Sequence, residues 1–347
     1  MNQDFMKTKP IFPLVLSMSL PMMLSMLINS LYNIIDSMFV ARIGEDALTA
    51  VSLVYPHQTL VVSISVGFGV GITAAVAFFL GAGEKENADR SAAQGLLLSL
   101  LHGALLSVGG FLCIPYFLPL FTSDARILDW GMEYAYIVLS FSMVITVQIA
   151  FEKIYQAVGN MLVPMVCMAA GCITNIILDP VFIFGLGPIP RLEVKGAAIA
   201  TVIGQVVTLI LYLIWYFCKD MGLSLGRRNM KLTGEICGKL YTVGVPCSLT
   251  MGLPSLLITV LNGFAAAFSP VYILILGVYF KLQSFIYLPA NGIVQGMRPI
   301  LSYNYGAGEK KRMRRIIQIC SVMILVIMAA GMLLFLLAPG IIMKLFT

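Results

Sequence analysis

The chain has 347 residues, 59% of them apolar and 11% charged, with a mean hydropathy of +0.95, whereas a soluble domain carries about 25% charge. That balance excludes an ordinary soluble protein and leaves no stretch for a sizeable water-exposed domain. The apolar content supplies about nine or ten membrane spans at roughly 20 residues each. The formal net charge of +6 would suggest nucleic acid in a soluble chain, but in a membrane protein the basic residues must first be sorted by side.

Lys7 and Lys9 precede an apolar run from Ile11 to Val40. The run is too long for a signal-peptide core and lacks a small-residue cleavage pattern, so it reads as a retained first span. Taking that span as 11–41, further continuously apolar segments follow at about 47–80, 91–119, 130–151, 161–185, 194–218, 240–267, 271–303 and 316–338, separated by polar or glycine and proline punctuation. Long unbroken runs read as helices, because a transmembrane barrel would show alternating strands of roughly ten residues. The expected fold is therefore an all-α polytopic membrane bundle of about nine transmembrane helices.

Lys and Arg accumulate on the cytoplasmic side. With the N-terminus inside, the inner loops hold 15 basic residues, Lys153 among them, against 5 outside, with Lys281 and Arg298 left within a span. This places the chain in the cytoplasmic membrane with its C-terminus outside, and accounts for the positive charge without nucleic acid. The seven cysteines are odd in number, scattered in apolar segments and without CxxC or Cys/His spacing, so neither a disulfide framework nor a metal site is expected.

The sequence also repeats. Gly81-Ala82-Gly83-Glu84-Lys85 recurs as Gly306-Ala307-Gly308-Glu309-Lys310, an offset of 225 residues that also carries Pro21 to Pro246, Gly67 to Gly292 and Gly71 to Gly296. The chain then divides into residues 1–225, a six-helix lobe, and residues 226–347, the first three helices of a second lobe. Both copies begin after an even number of spans, so an axis along the membrane normal should relate them. About 100 residues, three helices, are expected to be absent from the second lobe, to be supplied by a missing C-terminal segment or a complementing chain.

Two acidic residues lie well inside the expected spans, Asp36 and Asp179. Glu152 was set apart as lying beside Lys153 at a cytoplasmic end. A carboxylate in hydrocarbon costs several kcal/mol and faces a bundle interior or a water-filled cavity. Ser25, Asn29, Tyr32, Asn33 and Asp36 recur at spacings of three and four on the first helix, along one face. Asn175 and Asp179 are one turn apart on the fifth, beside Pro180. At 1.5 Å per residue Asp36, Asp179 and Thr201 lie at matching depths, about 9–10 Å inside the outer helix ends. Two neighbouring carboxylates share a proton or hold a cation between them, which describes a coupling-ion site. Asn29 and Asn33 are secondary candidates, as is Lys281, which has no acid to pair with between Leu240 and Gly308. His57 and His102 read as packing residues, and Gly67-Phe68-Gly69-Val70-Gly71, inside a span, as a helix-packing stripe rather than a phosphate loop. No paired nucleophile and base is present in the pattern of an enzyme.

Residues 29–53 (NSLYNIIDSMFVARIGEDALTAVSL), the two GAGEK turns, NIILDPVFIFGLG at 175–187, GAAIATVIGQ at 196–205 and LPANGIVQGMRPILSYNYGAGE at 288–309 together resemble the multidrug and toxic compound extrusion (MATE) family along essentially the whole chain. The resemblance implies two six-helix lobes around a central cleft, six plus three of those twelve helices being present. It implies export of small amphipathic or cationic compounds by H⁺ or Na⁺ antiport, without other cofactors. In the DinF-like branch the cation site corresponds here to Tyr32, Asp36, Asn175, Asp179 and Thr201, with Na⁺ held by Asp36, Asn175, Asp179 and Thr201. The carboxyl-lobe glutamate of the NorM branch falls on Pro254. A lipid-linked oligosaccharide flippase of the wider superfamily is the alternative, disfavoured by a cavity with only Lys281 and Arg298 as cations; a non-transporting truncated remnant is another.

Overall fold

A computed structural model describes residues 3–186, 189–268 and 270–337, without the side chains of 255, 256, 258, 259, 262, 263, 265–268, 270–278, 281, 282 and 285. Every regular element in it is helical. A short helix α1 (Phe5–Thr8) precedes α2 (Ile11–Ala41), α3 (Glu45–Gly81) and α4 (Lys85–Phe117). Then come α5 (Ala125–Ser140), α6 (Ser142–Ala157), α7 (Leu162–Phe184), α8 (Glu193–Cys218), α9 (Gly234–Phe268), α10 (Pro270–Gly306) and α11 (Lys310–Leu337).

Among the described residues, six helices are long and apolar enough to cross a membrane: α2, α3, α4, α7, α8 and α11. The expected fourth span is two helices, α5 and α6, bent by 45° at a one-residue break, and counting that pair brings the number to seven. The expected nine is thus not reached; α9 and α10, where the other two were placed, run through residues whose side chains lie outside the described set.

The helix bounds repeat with the sequence. Glu45–Gly81 is matched by Pro270–Gly306 exactly 225 residues later, and α4 and α11 begin at residues 85 and 310. Both following turns are built alike: Gly83 and Gly308 take φ of +78° and +75°. The Glu84 N–H donates to the Phe79 carbonyl, and the Glu309 N–H to the Asn304 carbonyl. That six-residue closure needs a left-handed residue, which glycine supplies without a Cβ clash.

Packing between the copies is reciprocal. α3 lies against α9, α10 lies against α2, and α3 and α10 meet each other. A Cβ on Gly81 would overlap the Tyr303 carbonyl oxygen, and one on Gly306 the Phe78 carbonyl oxygen, Phe78 and Tyr303 being themselves 225 residues apart. Further along the same helices Gly67 abuts Ser248 and Gly292 abuts Met23; Gly71 abuts Leu240 and Gly244, and Gly296 abuts Ser19. Small residues let helix backbones touch where hydrocarbon gives no hydrophobic drive to association. The stripe read in Gly67–Gly71 is such a contact surface. α3 packs also against α4, α5 and α6, and its side chains Phe68, Ile72, Val76 and Phe79 form the centre of the largest core.

The end bearing the two glycine turns is closed by the N-terminal segment. Met6 is fully buried against Ala77 and Tyr303. Its carbonyl accepts from Asn304 Nδ2 at 3.0 Å and from Arg312 Nη2 at 3.3 Å. On α2 Leu27, Leu31, Ile34 and Met38 are exposed, and on α9 Leu249, Leu253, Leu257 and Val260.

Because the Gly81 contact is to backbone, no rotamer change relieves it. Gly81→Val is expected to lower the melting temperature of the detergent-purified protein markedly, while Gly109→Ala, where an added Cβ meets nothing within 4 Å, is expected to be neutral or to stabilise α4 by up to about 1 kcal/mol. Equal melting temperatures for the two variants would contradict the packing.

Candidate functional site

α7 and α8 touch backbone to backbone. A Cβ on Gly171 would lie 2.7 Å from the Gly204 carbonyl oxygen, and one on Gly204 2.8 Å from that of Gly171. One turn further on, this closeness brings Asn175 to Thr201, and Asn175 Nδ2 donates to Thr201 Oγ1 at 3.4 Å. Asp179, another turn along α7, is fully buried. α2 packs against both helices; it brings the Asp36 carboxyl into direct interaction with that of Asp179, and the Tyr32 hydroxyl toward Thr201. The five residues picked out by depth, spacing and resemblance therefore meet at one place, although α2 and α7 are separated by more than 100 residues of chain.

The polar atoms there are short of donors. Both Asp179 oxygens, Asp36 Oδ1 and Asn175 Oδ1 are enclosed, and no N–H or O–H reaches them. Among the described residues Asp179 is the one carboxylate sealed at both oxygens. Burying such a group unpaired is costly, and two carboxylates this close can share a proton or hold a cation. The ligand atoms are carboxylate, amide and hydroxyl oxygens, a hard set suited to a proton or an alkali cation. Among the described residues no three His, Cys, Asp or Glu side chains gather as a softer metal would require.

Other expectations fare differently. Asn33 Nδ2 bonds back to Asn29 Oδ1 at 2.7 Å, on the exposed side of α2, so the polar stripe of that helix divides: Tyr32 and Asp36 turn to the site, Asn29 and Asn33 to each other. The side chain of Lys281 lies outside the described residues. His57 packs edge-on to Phe117, and His102 Nε2 pairs with the Tyr241 hydroxyl at 2.8 Å beside Phe68. Two site neighbours escaped sequence reading. Tyr134, on α5, is buried with its hydroxyl near Thr201, and Gln58 Nε2 of α3 donates to it at 3.4 Å. A tyrosine in an apolar run carries no signal of its own. Gln58 does, as an amide in mid-span where only another polar group can satisfy it.

A second polar cluster corrects the sequence reading outright. Lys153 is not a loop cation, nor is Glu152 a solvated helix-end acid: they are 2% and 8% exposed inside α6. Lys153 Nζ donates to Glu152 Oε1 at 2.7 Å, to Gln156 Oε1 at 3.2 Å and, across to α10, to Gln295 Oε1 at 3.3 Å. Adjacency in sequence suggested a cytoplasmic end, but α6 packs against α3, α4 and α8 and encloses this stretch. Removing one partner of a buried ion pair costs about 3–5 kcal/mol. Glu152→Ala should therefore destabilise the protein by that order in detergent unfolding, and Glu152→Gln with Lys153→Met should recover most of it; no loss in the single variant would contradict the burial.

The sequence profile of the MatE family matches residues 21–181 and 246–347. The multidrug export protein MepA of Staphylococcus haemolyticus (strain JCSC1435) is 26% identical over 344 residues, covering 99% of this chain and 75% of that protein. An FAD transporter of Shewanella oneidensis is 26% identical over 307 residues, covering 88% of this chain and 68% of its own length. Among solved structures, an outward-facing multidrug resistance MATE family transporter superposes with a TM-score of 0.90 at 25% identity, covering 100% of this chain and 76% of that one.

Proposed function

The chain belongs to the MatE family, and from that premise we propose that this multi-pass membrane protein exports small amphipathic or cationic compounds in exchange for H⁺ or Na⁺ carried at Asp36 and Asp179. The observation that carries the reading is the donor-free Asp36–Asp179 pair, enclosed where α2, α7 and α8 converge. Multidrug export comes from the name of the MepA relative. The flippase alternative draws no support from these relatives, and transport rather than catalysis fits the site, which offers no nucleophile with a base.

In this reading residues 1–225 and 226–347 belong to two lobes that rock about the glycine contacts of α3 and α10. The N-terminus lies on the cytoplasmic side, with about nine membrane-crossing helices in this chain. A cation between Asp36 and Asp179 draws α2 onto α7, with Asn175, Thr201 and Tyr32 supplying oxygens; its departure leaves two facing carboxylates that repel. The position of α2 then depends on occupancy, which links cation release to the cleft where the compound binds.

Asp36→Asn and Asp179→Asn are each expected to reduce ethidium efflux from expressing cells to the level of cells lacking the protein, with membrane abundance unchanged. Wild-type efflux in both would overturn the assignment. If Na⁺ is the ion, saturation to 100 times its dissociation constant should stabilise the purified wild-type protein by about 2.7 kcal/mol and leave Asp36→Asn unmoved; a lack of stabilisation in wild type assigns the site to H⁺.

A further inference from the structure

The carboxylate pair is sealed on the Asp179 side but not on the other. Asp36 is half-buried, and while its Oδ1 is enclosed, the residue also lines a cavity of about 170 Å³ between the C-terminal part of α2 and the N-terminal part of α3, beside the turn that joins them. That volume holds several waters. Leu48 and Val51 form the apolar wall of the cavity, and Ser37, Ser52 and Tyr55 contribute its hydroxyls, all three residues being exposed.

The hydroxyl orientations give the cavity a sign. Ser37 Oγ donates to the Asn33 carbonyl at 2.8 Å, and Ser52 Oγ donates to the Leu48 carbonyl at 2.7 Å. Each serine thus spends its proton on its own helix and turns oxygen lone pairs to the cavity. The two serines then present acceptors beside the Asp36 carboxylate, and among the described residues no basic side chain lines the slot. Such a slot attracts cations and repels anions.

We propose that this slot between α2 and α3 is the access route of the coupling cation, with Ser37 and Ser52 as staging ligands and Asp36 as the relay to the enclosed Asp179. The inference rests on the coupling role given above to Asp36 and Asp179, and it adds the path and the residues that select charge along it. Tyr55, one turn further along α3, lines the same slot, and cation transfer runs Ser52 to Asp36 to Asp179.

The test uses Ser52→Cys, and separately Tyr55→Cys, in the full chain with the accessible and half-buried cysteines Cys113, Cys218, Cys237 and Cys247 replaced by serine. The reaction rates with trimethylammonium-ethyl and sulfonatoethyl methanethiosulfonate are compared in membranes. With each rate divided by that reagent's rate toward a free thiol, the cationic reagent should react about tenfold faster, and adding Asp36→Asn should bring the two rates together, whereas Leu120→Cys, in the turn after α4, should show no dependence on Asp36. Equal rates for both reagents at positions 52 and 55, or a ratio indifferent to Asp36→Asn, would overturn the access route. If that happens while Asp36→Asn still abolishes ethidium efflux, only the route fails; if Asp36→Asn leaves efflux intact, the coupling site fails and the route with it.

Discussion

Hydrocarbon offers no hydrogen-bond partner, so every polar group within the bundle must be satisfied by the chain itself. Most of this protein obeys by the shortest means. Ser25, Ser65, Thr174, Thr208 and Ser248 all return their hydroxyl protons to carbonyls one turn back on their own helices. Lys153, the most deeply placed cation with a described side chain, gathers three acceptors. Against that background the Asp36–Asp179 pair stands out as a place where the chain leaves acceptors facing one another without a donor. A structural role would be better served by almost any other residue pair, and that is the physical reason to read it as a site that a cation visits.

The same scarcity of polar glue shapes the packing. With no hydrophobic drive between helices in lipid, close backbone approach supplies the attraction, and glycine is what permits it. Gly171 and Gly204 set the separation of α7 and α8, and through it the Asn175–Thr201 bond. Gly81, Gly306 and their partners set the contact between the two copies. Site geometry and the proposed rocking motion thus depend on the same kind of contact, one held shut within the first copy and one free to pivot between copies.

The two polar clusters occupy complementary positions. Glu152, Lys153 and Gln295 are saturated and span α6 and α10, where the copies meet. Asp36 and Asp179 are unsaturated and lie wholly within the first copy, next to the slot between α2 and α3.

Much of this was legible in the residues. Apolar run length and the absence of alternation are sufficient for a helical membrane bundle, since local composition alone decides whether a segment partitions into lipid. The 225-residue offset announced the matching bounds of α3 and α10 and the matching starts of α4 and α11, because a repeated sequence meets repeated packing. Spacing of three and four put Asp36 with Tyr32, and Asn175 with Asp179, because helical geometry is local. Other features are not local and had to await the tertiary structure. Packing of α6 against α3, α4 and α8 buried Glu152 and Lys153, although as neighbours in sequence they read as a cytoplasmic end. The packing of α2 sorted one polar stripe into site residues and an exposed asparagine pair. Tyr134 and Gln58 joined the site from α5 and α3, which no spacing within a helix could reveal. Helix periodicity tells which side chains share a face; only the packing of helices against one another decides what that face meets.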